Sequence, residues 1–210
     1  MLTVGPDVDQ VDGVLRRGEL ACPGCSGVLA PWAWARPRTV RDDLGSDRGG
    51  CEIVPRRAQC RSCKRTHVLL PTIVLARRAD AADVIGLALL ARASGWGARR
   101  IAARVGRALS TVRGWLGRWA TNATRLRAAF TGLLHELDDD PHPLAPAGSP
   151  VADAVAAVGA AVAAVRRRWG TAVVVVSAWQ VASALTHGRL LAPTPPAVLT
   201  NTSTRLSAPP

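Results

Sequence analysis

Apolar side chains recur at helical spacing between residues 80 and 130 of the chain. Three runs with the 3, 4 spacing of one buried face predict helices at 81–93, at 98–105 and from 109 to 119 or beyond. Gly106 permits the left-handed backbone of a sharp turn between the second and third helices. Ala108 stands where a capping Ser or Pro is usual, so the start of the third helix is less well defined. The expected buried positions are Ile85, Ala88, Leu89, Ile101, Ala102, Val105, Val112, Trp115, Leu116 and Trp119.

A second apolar pattern, built from Ala and Val, predicts two helices in residues 151–192. A Pro-rich linker at 138–150 precedes this pair, and the Pro/Thr/Ser tail at 193–210 is predicted to be disordered. A hairpin of small side chains buries too little area to be stable alone, so the pair must pack on the preceding helices, on a second copy or on another protein. The linker argues against packing on the preceding helices, and a homodimer through 151–192 is preferred because helix-turn-helix proteins commonly act as dimers on two half-sites. The apolar positions are Val151, Val155, Val158, Val162, Val165, Val174, Ala178, Val181 and Leu185.

Two C-x-x-C motifs stand out in the N-terminal part of the chain, where no helical period is present. Each motif can form a tight knuckle, and four thiolates complete the tetrahedral shell of a structural zinc ion. Gly24 and Ser62 are small, as a tight knuckle requires. Disulfide or thioredoxin-like chemistry is the alternative, but no βαβ pattern surrounds either motif and nothing suggests secretion. The predicted zinc ligands are Cys22, Cys25, Cys60 and Cys63.

The 34 residues between the motifs suit a zinc ribbon, with strands expected at 28–40, 53–59 and 67–70. A closed shell of four thiolates leaves no position for a catalytic water. Cys51 is expected to be a free thiol. His67 could replace one cysteine as a ligand, but support of the strand is the preferred interpretation.

Positive charge is concentrated in two stretches of the chain. Lys and Arg together number 27 against 15 acids, a net charge of +12, and Lys64 is the only lysine. Residues 56–78 contain seven Lys or Arg, and residues 92–127 contain nine Arg, with no Asp or Glu in either stretch. A high-GC genome explains Arg in place of Lys, but it does not explain the imbalance over acids. Such stretches favour a polyanionic partner, and nucleic acid is the commonest.

The second and third predicted helices carry a more specific signal. Residues 101–106 followed by 110–116 resemble the helix-turn-helix of resolvases and of transposase N-termini, although a trihelical bundle without DNA remains the alternative. Arg113 is expected to contact a base and the other arginines mainly phosphate. The glycines of the third helix either allow a deep approach to the major groove or reflect composition alone. The candidate DNA-binding residues are Arg99, Arg100, Arg104, Ser110, Thr111, Arg113, Gly114, Gly117 and Arg118.

Several of these segments together resemble an actinobacterial family of uncharacterised small proteins that carries a domain of unknown function. The matching pieces are GELACPGC at 18–25, LAPW at 29–32, CRSCKRTHVLLP at 60–71 and the helix-turn-helix. The resemblance covers about residues 11–120. It implies a zinc ribbon joined to a helix-turn-helix, as at the N-terminus of some transposases, and it implies no established activity.

The sequence therefore predicts an α+β fold that is mostly α. After a short acidic lead-in at 1–20, we expect a zinc ribbon at 21–79 and a trihelical helix-turn-helix at 80–130. The C-terminal helical pair follows the linker. Residues 1–10 lack the apolar region of a signal peptide, and the apolar stretch at 172–185 is shorter than the roughly 20 residues that a membrane span needs.

An enzyme is not expected. The acids after the helix-turn-helix lie mostly in or beside the linker, no tyrosine is present for a tyrosine recombinase, and no stretch suits a serine recombinase domain. The expected function is sequence-specific binding of double-stranded DNA, as a transcriptional regulator or an accessory protein of a mobile element. The alternative is a non-enzymatic adaptor that docks a recombinase or polymerase. The expected location is cytoplasmic and nucleoid-associated, with no membrane partner and no small-molecule substrate. The acids in question are Glu136, Asp138, Asp139, Asp140 and Asp153.

Overall fold

The computed structural model describes residues 1–42, 50–138, 140–170, 176–197 and 199. In this part of the chain the fold is α+β, with more helix than strand and two small sheets. The helices are α1 (Val8–Arg17), α2 (Ala82–Ala93), α3 (Ala98–Val105), α4 (Leu109–Leu137), α5 (Pro150–Trp169) and α6 (Ala178–Leu185). The strands are β1 (Leu2–Val4), β2 (Leu29–Trp34), β3 (Arg38–Val40), β4 (Cys51–Ile53), β5 (Arg56–Cys60) and β6 (Thr66–Pro71).

The larger sheet has the strand order β1-β6-β5-β2, and β1 runs parallel to β6 while the other pairs are antiparallel. Helix α1 packs against β2 and β5 with Val11 and Leu15 buried. Residues 1–20, expected as a lead-in, thus contribute β1 and α1 to this part of the fold, and Leu2 and Val4 are core residues. A strand of three residues is too short to show a period, and α1 buries only one narrow stripe.

Two of the expected strands are each divided into two. The predicted strand at 28–40 contains β2, which belongs to the larger sheet, and β3, which pairs with β4 in a separate two-stranded sheet. The predicted strand at 53–59 is likewise divided between β4 and β5. Pro37 and Pro55 lie at the two divisions. Because proline cannot donate a backbone hydrogen bond, it interrupts a continuous ladder.

Helices α2, α3 and α4 pack on one another at the positions that the apolar spacing predicts. Gly106 ends α3 with φ of 64°, and α4 begins at Leu109 without a side-chain cap at Ala108. Helix α4 is much longer than the predicted minimum, with 29 residues ending at Leu137. Its second half buries Leu126, Phe130 and other apolar residues, and so provides the surface on which the C-terminal helices pack.

The C-terminal helices belong to the same core as α2 and α4. Helix α5 packs along α4, and α6 packs on α2 and α5. The ring of Trp179 meets that of Trp119 edge-on at 6.1 Å, and the Trp119 indole donates to the carbonyl of Val151 at 3.3 Å. The small buried area of this pair allowed three possible packing partners, and the preceding helices are the partner observed. The argument for a dimer from an unpaired helical hairpin therefore loses its basis.

The segments around these helices are only partly described. The described residues of the linker form no helix or strand until Pro150 starts α5, and the N–H of Ala147 donates to Asp153 at 2.6 Å. Val174, expected in the last helix, lies outside the described residues. Leu199, which the sequence assigns to a disordered tail, is buried in the core, while residues 200–210 lie outside the described part.

Candidate metal centre and basic helical surface

The two C-x-x-C motifs form knuckles with the same backbone hydrogen bonds. The N–H of Cys22 donates to the carbonyl of Gly27 at 2.7 Å, and the N–H of Cys60 donates to the carbonyl of Arg65 at 2.9 Å. In both knuckles the backbone N–H of the first cysteine therefore donates to the carbonyl of the residue five positions later. This hydrogen bond closes a turn around the sulfurs. The residues that follow the second cysteine, both with positive φ, are Ser26 and Lys64.

Pairing of β2 with β5 brings the two knuckles together, since Leu29 lies opposite Cys60. The sulfurs of Cys22 and Cys63 are 3.8 Å apart and those of Cys25 and Cys60 are 3.5 Å apart. All four sulfurs lie within 4.8 Å of one another. A tetrahedral ion with metal–sulfur bonds of about 2.3 Å places its ligands about 3.8 Å apart. The cluster could therefore bind a metal ion, and the predicted convergence of the four cysteines is confirmed.

Gly27 allows the knuckles to approach each other. A Cβ atom added there would lie 2.4 Å from Oγ of Ser62 and 3.1 Å from Sγ of Cys60. At Gly24, inside the first motif, an added Cβ would make only ordinary contacts, the nearest at 3.6 Å. The sequence argument singled out Gly24, whereas the position without room for a side chain is Gly27, whose neighbours come from the distant second motif.

The sulfurs of the cluster ionise unequally. A hydrogen bond from the backbone N–H of Cys63 is the main cause that lowers the pKa of Cys60 to about 6. The backbone N–H of Gly27 lowers the pKa of Cys25, but hydrogen bonds with Cys60 and Cys63 outweigh it and raise that pKa to about 11. Negative charge therefore develops at Cys60 before it develops at Cys25, and the Cys60 side chain is buried within the cluster.

Two further potential metal ligands, His67 and Cys51, do not belong to the group of four cysteines. Nε2 of His67 is 3.4 Å from Sγ of Cys22, and burial lowers the pKa of the imidazole. A neutral His67 at this distance can donate a hydrogen bond to a Cys22 thiolate, an outer role that orients a ligand. Cys51 is exposed on β4 opposite Val40. Within the described ranges, the four cysteines are the group of potential ligands close enough to share a metal ion.

Helix α3 turns its apolar side inward and its arginines outward. Ile101 and Val105 are buried between α2 and α4. The guanidinium of Arg100 lies 3.6 Å from the centre of the Trp96 ring, a cation–π contact that limits its motion. The exposed arginines of this helix are Arg99, Arg100 and Arg104.

The first half of α4 has a buried aromatic stripe and an opposite polar face. Trp115 and Trp119 are buried, while Thr111 and Gly114 are half-buried. A Cβ at Gly117 would meet no atom within 4 Å, whereas one at Gly114 would lie 3.3 Å from the guanidinium of Arg118. Gly117 alone thus leaves the helix backbone open. The exposed residues of this polar face are Ser110, Arg113, Gly117 and Arg118.

A buried carboxylate joins the cysteine-containing part of the chain to the turn between α3 and α4. Asp80 accepts from Nε of Arg107 at 2.6 Å and from Nη2 of Arg41 at 2.8 Å. The side chains of Asp80 and Arg107 are 3% and 7% exposed, respectively. Arg107 follows the left-handed Gly106, so this ion pair holds the turn. Sequence reasoning missed Asp80 because an isolated acid before a helix carries no periodic signal.

The acids considered for catalysis are largely engaged in structural contacts. Asp138 forms an ion pair with Arg167, and Asp153 forms one with Arg127 at 3.0 Å. Asp139 lies outside the described residues. Glu136 and Asp140 are exposed near the end of α4. The ion pairs thus give Asp138 and Asp153 roles in joining α4 to α5.

Comparison with protein-family models, with curated proteins and with solved structures finds no match for this chain. None of the helices in the described ranges has the length and apolar character needed to cross a membrane.

Proposed function

We propose that this chain is a sequence-specific, non-enzymatic DNA-binding protein that contacts double-stranded DNA through a helix-turn-helix formed by α3 and α4. The observation that carries the proposal is the basic surface of these helices: their apolar stripes are buried and their arginines are exposed. Residues 92–127 contain no acid that could offset this charge. A cationic surface of this kind attracts the phosphate backbone and gives salt-dependent affinity. Such a protein would serve as a transcriptional regulator or as an accessory protein of a mobile element.

The proposed recognition helix is the first half of α4. In a helix-turn-helix the N-terminal residues of the second helix reach base edges in the major groove. Arg113 is long enough for a bidentate contact to guanine, and Ser110 and Thr111 precede it on the same helix. Arg100 and Arg104, on α3, would contact phosphates. The open backbone at Gly117 would allow close approach to the groove.

Binding to duplexes of varied sequence tests these roles. After a preferred sequence has been selected, Arg113→Ala should reduce the preference for it by about 5- to 150-fold, the value of one bidentate base contact. Arg100→Ala should weaken all duplexes alike and make the salt slope shallower by about one. Arg168→Ala, at an exposed position near the end of α5, controls for loss of one charge. Equal behaviour of the Arg113 and Arg100 variants would argue against a recognition helix in α4.

We further propose that the metal is zinc and that residues 21–79 form a zinc ribbon. Four thiolates in a closed tetrahedral set are a typical structural zinc site, and binding would then contribute directly to folding. Metal analysis of freshly purified protein should find one zinc per chain. Cys60→Ser should make this part of the chain sensitive to proteases, while Cys51→Ser should not. Protein that contains no metal yet stays folded would contradict the assignment.

A second candidate function is protein docking, which one exposed apolar surface supports. Leu87 and Leu90 are 39% and 43% exposed on α2, and they border an apolar groove of about 220 Å³ with Trp96 and Ile101. A purified recombinase or polymerase would be the adaptor's partner. The double variant Leu87→Glu/Leu90→Glu should leave duplex affinity unchanged if the chain acts through DNA alone. Gel shifts at two salt concentrations, with and without the partner, distinguish the two functions.

A further inference from the structure

Two tryptophans are exposed on one strand, far along the chain from the proposed helix-turn-helix. Trp32 is 57% exposed and Trp34 is 50% exposed, and both belong to β2, an edge strand of the larger sheet. The pairing of β2 with β5 shifts between Pro31 and Ala33, so Trp32 occupies a bulge. Bulges on edge strands redirect side chains and prevent pairing with another strand. By contrast, Trp115, Trp119 and Trp179 are buried.

Most charged residues near these rings are cationic, although Glu52 lines the groove beside Trp34. Residues 28–40 and 54–68 together contain seven Lys or Arg and no Asp or Glu. Arg36 is exposed two residues after the end of β2, whereas Arg57, opposite Ala33, lies on the face of the sheet that Trp34 does not share. Arg56 is the exception, because Asp12 binds its guanidinium at 2.7 Å. Further exposed cations lie in the turn that joins β5 to β6: Arg61, Lys64 and Arg65.

The ring of Trp34 is held in place before any ligand arrives. The guanidinium of Arg56 lies 4.4 Å from the ring centre and covers one face of the indole. The Arg56 side chain is itself only 13% exposed and is fixed by Asp12. A ring supported on one face loses little conformational freedom when a flat partner stacks on the other.

We propose that a stacking platform made of Trp32, Trp34 and Arg36 binds unpaired bases of a nucleic-acid strand. Exposed aromatic rings beside a basic groove are what sequence-tolerant binding of single strands requires. In a duplex each base face is covered by its neighbours, so an indole can stack only on a base that is unpaired. This site is separate from the proposed duplex contacts of α3 and α4 and does not depend on them.

Binding of single-stranded oligothymidylate to the full chain tests the platform. The strand should quench tryptophan fluorescence of the wild-type protein and protect it from acrylamide. Trp32→Ala and Trp34→Ala should each weaken binding by about 5- to 150-fold, the range measured for loss of one base stack. Trp32→Phe/Trp34→Phe should keep most of the affinity for oligothymidylate. Trp32→Leu/Trp34→Leu, whose new side chains are apolar but not aromatic, should lose it. Arg36→Gln should make the salt slope shallower, and Arg168→Gln serves as the matched control.

The duplex measurements keep this proposal distinct from the helix-turn-helix. Arg113→Ala should leave binding of oligothymidylate unchanged, and the Trp32→Leu/Trp34→Leu variant should leave binding of a blunt duplex unchanged. Equal binding of oligothymidylate by wild-type protein and the double Leu variant would overturn the proposal. So would conversion of a dimer to a monomer by that variant in sedimentation, since the platform would then be a contact between two copies. Circular dichroism establishes that each variant is folded.

Discussion

Gly86 and Trp179 provide the sharpest test of how the C-terminal helices pack. A Cβ added at Gly86 would lie 2.1 Å from Cδ1 and Cγ of Trp179, a separation that no folded protein tolerates. Gly86→Ala must therefore push α6 away from α2 or move the indole from its edge-on contact with Trp119. Overpacking of this kind costs about 1–3 kcal/mol. Alanine in place of glycine inside a helix increases the free energy of unfolding by about 1 kcal/mol. The net expectation is a loss of about 0–2 kcal/mol in the free energy of unfolding.

The same substitution should change sign when the indole is absent. Trp179→Ala leaves a cavity and should cost about 3–5 kcal/mol by itself. In that background, Gly86→Ala meets no ring and should stabilise the protein by about 1 kcal/mol, its helix propensity alone. The two substitutions should thus show a coupling energy of about 1–3 kcal/mol, the overpacking cost itself, as expected for residues in contact.

Urea denaturation followed by far-UV circular dichroism measures both effects, since this signal does not depend on the tryptophan that is removed. Gly159→Ala is the matched control, because it lies within α5 and an added Cβ there would meet nothing within 4 Å. It should stabilise both backgrounds by about 1 kcal/mol. If Gly86→Ala has the same sign and size in both backgrounds, α6 does not pack on α2 as described.

Three further predictions concern other contacts of the fold. Gly27→Ala should lower the affinity for zinc, whereas Gly24→Ala should leave that affinity nearly unchanged. Metal competition with a chromogenic chelator measures the difference, and equal affinities of the two variants would contradict the described packing of the knuckles. Asp80→Ala should destabilise the protein by about 3 kcal/mol or more, because it removes the buried carboxylate that Arg107 binds; a loss below about 1 kcal/mol in urea denaturation would refute this role. Gly117→Ala should stabilise α4 by about 1 kcal/mol and yet weaken duplex binding, and unchanged binding would favour composition as the origin of that glycine.

Local patterns in the sequence determined the helices and the four cysteines of the candidate metal centre. The 3, 4 spacing of apolar residues locates α2, α3 and the first half of α4, because a helix places such residues on one face regardless of what covers it. The two C-x-x-C motifs identify all four ligands, because each knuckle is a turn made of consecutive residues. Pro37 and Pro55 were also visible as breaks, although the sequence analysis ran the expected strands through them.

Contacts between distant residues could be decided only by the tertiary structure. The pairing of β1 with β6 joins residues near position 3 to residues near position 70, and no local signal marks a strand of three residues. The lack of room at Gly27 comes from Ser62, and that at Gly86 comes from Trp179. The burial of Asp80 likewise depends on Arg41 and Arg107.

The partner of the C-terminal helices shows why the sequence alone was insufficient. Their apolar stripes established that they must be covered, because hydrophobic burial requires only that water be excluded and does not specify the covering surface. Helix α4 and α2, a second copy and another protein all satisfied that requirement. What selects α4 and α2 is shape: the glycine at position 86 makes room for the Trp179 ring, and Trp119 meets that ring edge-on. Periodicity thus determined which helix faces are buried. Complementary packing between distant residues determined which surfaces cover those faces.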